Sequence, residues 1–245
     1  MAGSLSLRYV LAEVRPHGVV SLRVQPQSKA RASLRYPSLT SLLGAISYPL
    51  AREDGREVVA ADGSVEPRSA EFRRLFEHIA AEVVGEGYTY GSLYKINEYY
   101  RGKALQAVSA LSNTFLYGEQ DYRIRILYVL AGGVGEGEAR LVERAAWGIS
   151  RLGSRESVVS VEGVSSGTGR VYESDSVETT FSFEVRDGMA IKGSYELIAS
   201  PDWRSGPLSD ISRAARKRVA YPRGRVRVEG KGLRVFEFEE GVAIL

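Results

Sequence analysis

The sequence predicts an α+β protein, and three observations carry that prediction. Strand-like alternation over Leu5 to Val14 is followed by helical spacing from Pro37 to Leu50. The same succession recurs further on, with a strand at Tyr122 to Leu130 before a helix with a buried stripe from Leu141 to Leu152. From Ser165 onward the texture changes to short alternating runs separated by glycine turns, which read as strands and hairpins.

Taken in order, Leu5–Val14 is a first strand, Arg15-Pro16-His17-Gly18 a turn, and Val19–Val24 a short second strand. Gln25–Tyr36 is polar, holds Lys29, Arg31 and Arg35 without an acid, and reads as a loop. Ser38 or Thr40 can cap the helix that follows, whose Leu39, Leu42, Leu43, Ile46 and Leu50 share helical spacing. Pro49 is expected to end or kink it. Residues 51–67 form a charged loop, and Arg68–Val84 returns to helical spacing, with His78 on that helix as a surface or partly buried structural residue. Together, residues 51–87 are expected to be an insertion. Tyr88–Tyr100 interleaves tyrosines with Lys95, next to Arg101 and Lys103. Tyrosines in this setting can stack on unpaired bases or cover the edge of a core, and the sequence leaves both readings open. Residues 101–118 form a long connection of the protruding-hairpin type.

Tyr122–Leu130 places Arg123 and Arg125 on one face and Ile124, Ile126 and Tyr128 on the other. Gly132–Gly137 is a turn, Leu141, Val142, Ala145, Ala146, Ile149 and Leu152 mark a helical stripe, and Val158–Val164 is a strand. With 51–87 set aside, the order is strand, helix, strand, strand, helix, strand, the ferredoxin-like arrangement of RRM-like domains. Residues 166–245 then form a small β-rich annex to a 1–165 domain. Ser165–Arg170 is a loop there, Glu178–Val185 and Met189–Ile198 are a hairpin, Ser209–Val219 is a short basic helix, and Arg225–Glu229 with Leu233–Phe238 is a final hairpin.

Composition removes several function classes. The chain has 245 residues, 44% of them hydrophobic and 26% charged, enough for a real core. With no cysteine there can be no disulfide, thiolate zinc site or thiol nucleophile, which fits a reducing, cytoplasmic setting. The two histidines, His17 and His78, are far apart, so no metal or other cofactor is expected. No apolar run reaches the roughly 18 residues of a membrane span, and no secretory leader is apparent. P-loop and nucleophile-elbow motifs are absent, and the glycines of Gly132–Gly137 do not have dinucleotide-loop spacing.

Basic residues are distributed more tellingly. Among the 33, only Lys29, Lys95, Lys103, Lys192, Lys217 and Lys231 are lysines, so arginine, the better phosphate and base ligand, dominates. Ser212–Arg227 holds Arg213, Arg216, Lys217, Arg218, Arg223, Arg225 and Arg227 with no acid, the footprint of nucleic-acid binding or of a solvated basic face. Arg151-Leu152-Gly153-Ser154-Arg155-Glu156-Ser157 joins a helix to a strand. Read alone it is a glycine C-cap with a flanking arginine. Its hydroxyls and guanidinium groups are equally suited to phosphate. His17, Lys29 and Tyr36 lie in one loop-rich region and could act as a metal-independent acid–base set on RNA, or simply bind it.

Two stretches carry a resemblance. Tyr36-Pro37-Ser38-Leu39-Thr40-Ser41-Leu42-Leu43-Gly44-Ala45-Ile46-Ser47-Tyr48 resembles the first-helix signature of the CRISPR-associated Cas-five family, and Arg151–Ser157 is similar to its helix-to-strand motif. The resemblance covers the first 165 residues well and the annex loosely. It implies a RAMP-superfamily protein with a ferredoxin-like core and a thumb-like hairpin, matched by position to 101–118. It also implies a non-catalytic subunit of a type I Cascade complex that grips the 5′ handle of the CRISPR RNA in antiviral defence. Its expected partners are that RNA, the backbone and large subunits, and target DNA in the assembled complex, and the archaeal type I-A branch is the preferred subtype. The RNA contacts it implies are Lys29, Arg31, Arg35, Tyr36, Arg101, Lys103, Arg151, Ser154 and Arg155. The type I-C branch is a metal-independent endoribonuclease using Tyr, Lys and His. This gives an alternative activity for His17, Lys29 and Tyr36, although no neighbouring Lys-His pair occurs in the chain.

Overall fold

Strand β1, Leu5–Pro16, is the centre of the molecule because both of its faces are apolar. Val10, Ala12 and Val14 belong to one buried cluster, and Leu7, Tyr9 and Leu11 belong to another on the opposite face. A strand buried on both sides needs cover above and below it. The computed structural model describes residues 5–20, 22, 34–54, 68–100, 103–117, 122–154, 157–205, 208 and 214–245. After β1 come β2 (Val19–Val20), α1 (Leu39–Asp54), α2 (Ser69–Phe72), β3 (Phe76–Val84), β4 (Glu86–Tyr100), β5 (Lys103–Tyr117), β6 (Arg123–Leu130) and α3 (Glu136–Trp147). The remainder is β7 (Val159–Thr179), β8 (Phe183–Glu184), β9 (Ala190–Lys192), β10 (Tyr195–Pro201), β11 (Arg216–Pro222), β12 (Val226–Phe238) and β13 (Gly241–Ile244).

The result is an α+β fold dominated by antiparallel sheet. Its main sheet is seven-stranded, in the order β13-β12-β7-β1-β6-β3, with β9 added to β12. α1 and α3 share one face of this sheet: Leu42, Leu43, Ile46, Val142, Ala145 and Ala146 pack with Ile124, Ile126 and Tyr128. The Tyr128 hydroxyl donates to the Leu42 carbonyl at 2.9 Å, which ties α1 to β6 in the buried interior. Phe181, Phe236, Phe238 and Leu245 cover the other face. β4 and β5 form a long hairpin outside the main sheet, paired from Glu86↔Tyr117 to Tyr100↔Lys103, and β2 adds to β5.

Several expectations are corrected. Residues 76–84 are strand, not helix: Phe76, His78, Ile79, Ala80, Ala81 and Val83 are all buried, and β6 supplies a ladder partner along the run. An apolar run without alternation fits either period, and here the pairing decides. β3 is therefore a strand of the main sheet and not part of an insertion. Its outer edge is closed by residue 182, whose amide donates to the Ala81 carbonyl and whose hydroxyl accepts from the Ala81 amide. Ser165–Arg170 is also strand. Gly167 lies under the Tyr9 ring, and a Cβ at Gly169 would come within 2.4 Å of the Phe236 ring, so these glycines permit close strand approach and do not make a turn.

The thumb-like hairpin expected at 101–118 takes its first arm from 86–100. Pro49 does not end α1. It packs on Gly148, where a Cβ would lie 2.8 Å from that of Pro49. α3 ends at Trp147 with Gly148 as its C-cap, so Gly153 is not the cap. The boundary expected at 165/166 falls inside the 21-residue β7, and β12 and β13 extend the same sheet. The two expected C-terminal hairpins do not form. β8 and β10 both pair with β11, while 226–238 is one strand along β7 with a bulge between Glu229 and Leu233. The basic helix expected over 209–219 is strand from Arg216 on.

Candidate nucleic-acid interface

The described residues of the Arg151–Ser157 segment are tied together by backbone hydrogen bonds. The Leu152 amide donates to the Ser157 carbonyl at 3.0 Å, and the Ser157 amide to the Ser154 carbonyl at 3.2 Å. Gly153 has φ +91°, a conformation that glycine adopts without penalty. The Ser154 and Ser157 hydroxyls share a 3.0 Å hydrogen bond, and Ser157 is fully buried. Ser154 thus has a structural partner before any ligand arrives.

Arg151 stands apart from this internal bonding. Its guanidinium carbon lies 4.2 Å above the centre of the Tyr48 ring, and that of Arg52 lies 5.9 Å from the same ring. Tyr48, partly exposed, follows Ser47 near the Pro49–Gly148 contact between α1 and α3. Two cations at one aromatic ring form a charged, flat-sided surface able to meet phosphate and to stack on a base. Tyr48 ends the first motif and Arg151 begins the second, so the fold joins two motifs that are distant in the chain.

Next to this loop, the His17 amide donates to the Val158 carbonyl at 3.0 Å, and Val158 bridges to Arg151. His17 itself is exposed. Tyr36 is placed differently from expectation. It is 2% exposed, stacked on Tyr221 with centroids 4.9 Å apart, and its ring is not available to an RNA base. Burial raises its hydroxyl pKa, against the lowering effect of Arg223. Tyr221 in turn donates to the Pro37 carbonyl at 2.5 Å. Arg35 and Arg223 converge on Glu196, at 3.3 and 2.9 Å. Lys29, Arg31, Arg101 and Arg155 lie outside the described residues, and Lys103 opens β5 opposite Tyr100.

Besides Arg223, four cations of the acid-free run 212–227 are matched by acids outside it. Lys217 pairs with Glu184 at 2.9 Å, Arg218 with Asp187 at 3.2 Å, Arg225 with Glu178 at 3.6 Å and Arg227 with Glu229 at 3.1 Å. Such surface pairs stabilise little, but they lower the positive potential that the bare sequence suggests. Tyr48, Arg52 and Trp147 were absent from the expected contacts, and Trp147 is exposed at the end of α3. Tyr48 was visible in the first motif, but nothing in the sequence placed Arg151 over its ring.

His78 is buried on β3, not at a helix surface. Its Nδ1 is 3.4 Å from an Arg204 nitrogen, which can only donate, so the proton sits on Nε2, which has no hydrogen-bond partner among the described residues. Burial and then Arg204, Arg186 and Arg234 push its pKa down to about 3. Among the described residues there is no group of three or more side chains that could hold a metal ion. No described helix is long and apolar enough to cross a membrane.

No family model matches the chain, and no curated protein matches it. Its structure is similar to the crystal structure of a CRISPR protein from Archaeoglobus fulgidus, with a TM-score of 0.64 and 19% identity over 97% of this chain and 98% of that one. At that identity the likeness is one of fold. A weaker likeness, with a TM-score of 0.42 and 9% identity over 90% of this chain and 86% of the other, is to a chain of a type III-B Cmr-beta complex bound to cognate target RNA and AMPPnP.

Proposed function

We propose that this chain is a non-catalytic CRISPR-RNA-binding subunit of a type I Cascade-like complex, holding the 5′ handle and adjoining the backbone subunits. The observation that carries this reading is the meeting of Arg151 with Tyr48 at 4.2 Å, with Arg52 beside them. It brings the two family-like motifs into one cationic, aromatic surface suited to phosphate and base. The strand order β7-β1-β6-β3, with α1 and α3 on one face, supports a ferredoxin-like RAMP core, and the fold likeness to a CRISPR protein agrees with it. The endoribonuclease alternative is weakened by Tyr36, whose ring lies in the core.

The test compares RNA carrying the 5′ repeat-derived tag with RNA whose tag is scrambled, in the reconstituted complex. Tighter binding of the tagged RNA is expected. Arg151→Ala is expected to weaken that binding by about tenfold and to flatten its salt dependence by about one phosphate contact. Equal, weak affinity for both RNAs would sink the proposal. Incubation with precursor RNA in EDTA tests the alternative, for which a discrete product lost in His17→Ala is required.

A further inference from the structure

The root of the β4–β5 hairpin, residues 86–91 and 113–117, turns Leu116 and Thr114 inward on one side and shows aromatic rings on the other, where Asn113 alone is buried among the described residues. Ladder pairs Glu86↔Tyr117, Tyr88↔Phe115 and Tyr90↔Asn113 put residues 86, 88 and 90 on the same side as 113, 115 and 117. On the opposite side Leu116 and Thr114 are buried, and the Thr114 hydroxyl donates to the Leu34 carbonyl at 2.7 Å. That attachment holds the root of the hairpin to the body. The displayed side carries Tyr88 at 59% exposure, Tyr117 at 50%, and Tyr90 and Phe115 at 37% each. Four large exposed aromatic rings on one short face are a patch of the kind that marks an interaction site.

Geometry narrows the occupant. The Tyr88 and Tyr90 rings are nearly parallel, 19° apart, with centroids 6.4 Å apart. This is the spacing that a strand gives to side chains at i and i+2, and it is less than the two carbon–carbon contact distances of about 3.5 Å each that an inserted ring needs. A ring enters between them only when the two side chains splay. A nucleobase is planar and stacks on both rings. The phenol hydroxyls keep the rim wetted, which suits a polar-edged base.

Position narrows it further. Phe115 packs on Tyr122 with centroids 6.5 Å apart, and the Tyr122 hydroxyl donates to the Pro16 carbonyl at 3.2 Å. The next residue, His17, is bonded through its amide to Val158, which bridges to Arg151. The pairs Val84↔Arg123 and Pro16↔Val159 put the root of the hairpin and the start of β7 at one end of the sheet. These contacts tie the cationic loop and the aromatic face to the same end of the sheet.

We infer that the exposed face of the hairpin root stacks unpaired bases of the bound RNA, with one base held between Tyr88 and Tyr90. This rests on the RNA-binding reading above and adds the contact that takes bases where Arg151 takes phosphate. The experiment measures binding, in the reconstituted complex, of a short unstructured RNA and of an abasic ribose-phosphate strand of the same length. Tyr88→Ala/Tyr90→Ala should weaken binding of the base-bearing RNA roughly 5- to 150-fold for each stacked base lost. It should leave the abasic strand unaffected. Tyr88→Phe/Tyr90→Phe should keep wild-type affinity, which separates stacking from any loss of folding.

Unchanged RNA affinity in the alanine variant, with Arg151→Ala still weakening it, overturns this inference alone. So does unchanged RNA affinity accompanied by loss of a protein subunit from the complex, which would assign the face to a protein contact. Failure of the wild-type complex to bind either strand overturns the RNA-binding reading and this inference together.

Discussion

His78 shows what burial does to one side chain. It is neutral in the folded protein because its pKa lies at about 3, while in the unfolded chain it titrates near 6.5. The folded value is the lower one, so its contribution to stability is intact above pH 6.5 and is lost as pH falls from there toward 3. Across that window the unfolded chain binds the extra proton, with a limiting slope of about 1.4 kcal/mol per pH unit. Denaturant titrations at pH 7 and pH 5 should show a drop that His78→Gln reduces. The alternative, an equal drop in both proteins, would assign the acid sensitivity to other groups. Gly148 makes the same point sterically. An added Cβ would press on Pro49 at 2.8 Å, so Gly148→Ala should separate α1 from α3. It is expected to cost about 1–3 kcal/mol of stability, as overpacking does, and to weaken RNA binding without removing a charge, because Arg151 loses its seat over Tyr48. Melting curves and RNA titration of the same preparation check both effects.

At the scale of elements, legibility followed the partner each segment has. β1, β6, α1 and α3 each carry one period over enough residues to be read directly, and Ser38 caps α1 as its side chain suggests, accepting from the Ser41 amide at 3.2 Å. Phe76–Val84 carries apolar residues at both the helical and the strand spacing, so only the ladder with β6 identifies it. Gly167 and Gly169 look like turn residues until their neighbours across the sheet are known: Tyr9 and Phe236 occupy the space where side chains would be. Gly230-Lys231-Gly232 likewise reads as a hairpin turn, yet it is a bulge, with the Gly232 amide donating to Asp175 at 2.9 Å. The loop Arg151–Ser157 was recognisable as a helix-to-strand connection, and the hydroxyl pair of Ser154 and Ser157 gives Ser154 a structural duty there.

For the whole molecule, the sheet makes the two ends of the chain interdependent. β7 pairs with β1 along its first half and with β12 along its second. Glu240 accepts from the Tyr9 hydroxyl at 2.6 Å, and Arg186 donates to the terminal Leu245 carbonyl at 2.7 Å. One cooperative thermal transition is expected, with coincident loss of secondary and aromatic signals. Truncation after Phe238 would remove the buried Ala243, Ile244 and Leu245 and should lower that single transition, since each fully buried large apolar side chain contributes about 1.5–3 kcal/mol. Two separate transitions would instead mark an independent C-terminal unit.

The sequence by itself determined the mixed α+β class, the longer periodic elements, the absence of thiol chemistry and the two motifs that suggest RNA. Those features depend on the identity and local spacing of residues, which a single chain displays. Tertiary structure alone decided that Tyr36 belongs to the core, that Lys217, Arg218, Arg225 and Arg227 of the basic run 212–227 are met by acids, that Arg151 covers Tyr48, and that Tyr88, Tyr90 and Tyr117 of the hairpin root are exposed. Each of these depends on which residues become neighbours across strands and helices, and burial, ion pairing and ring contact are set by those neighbours.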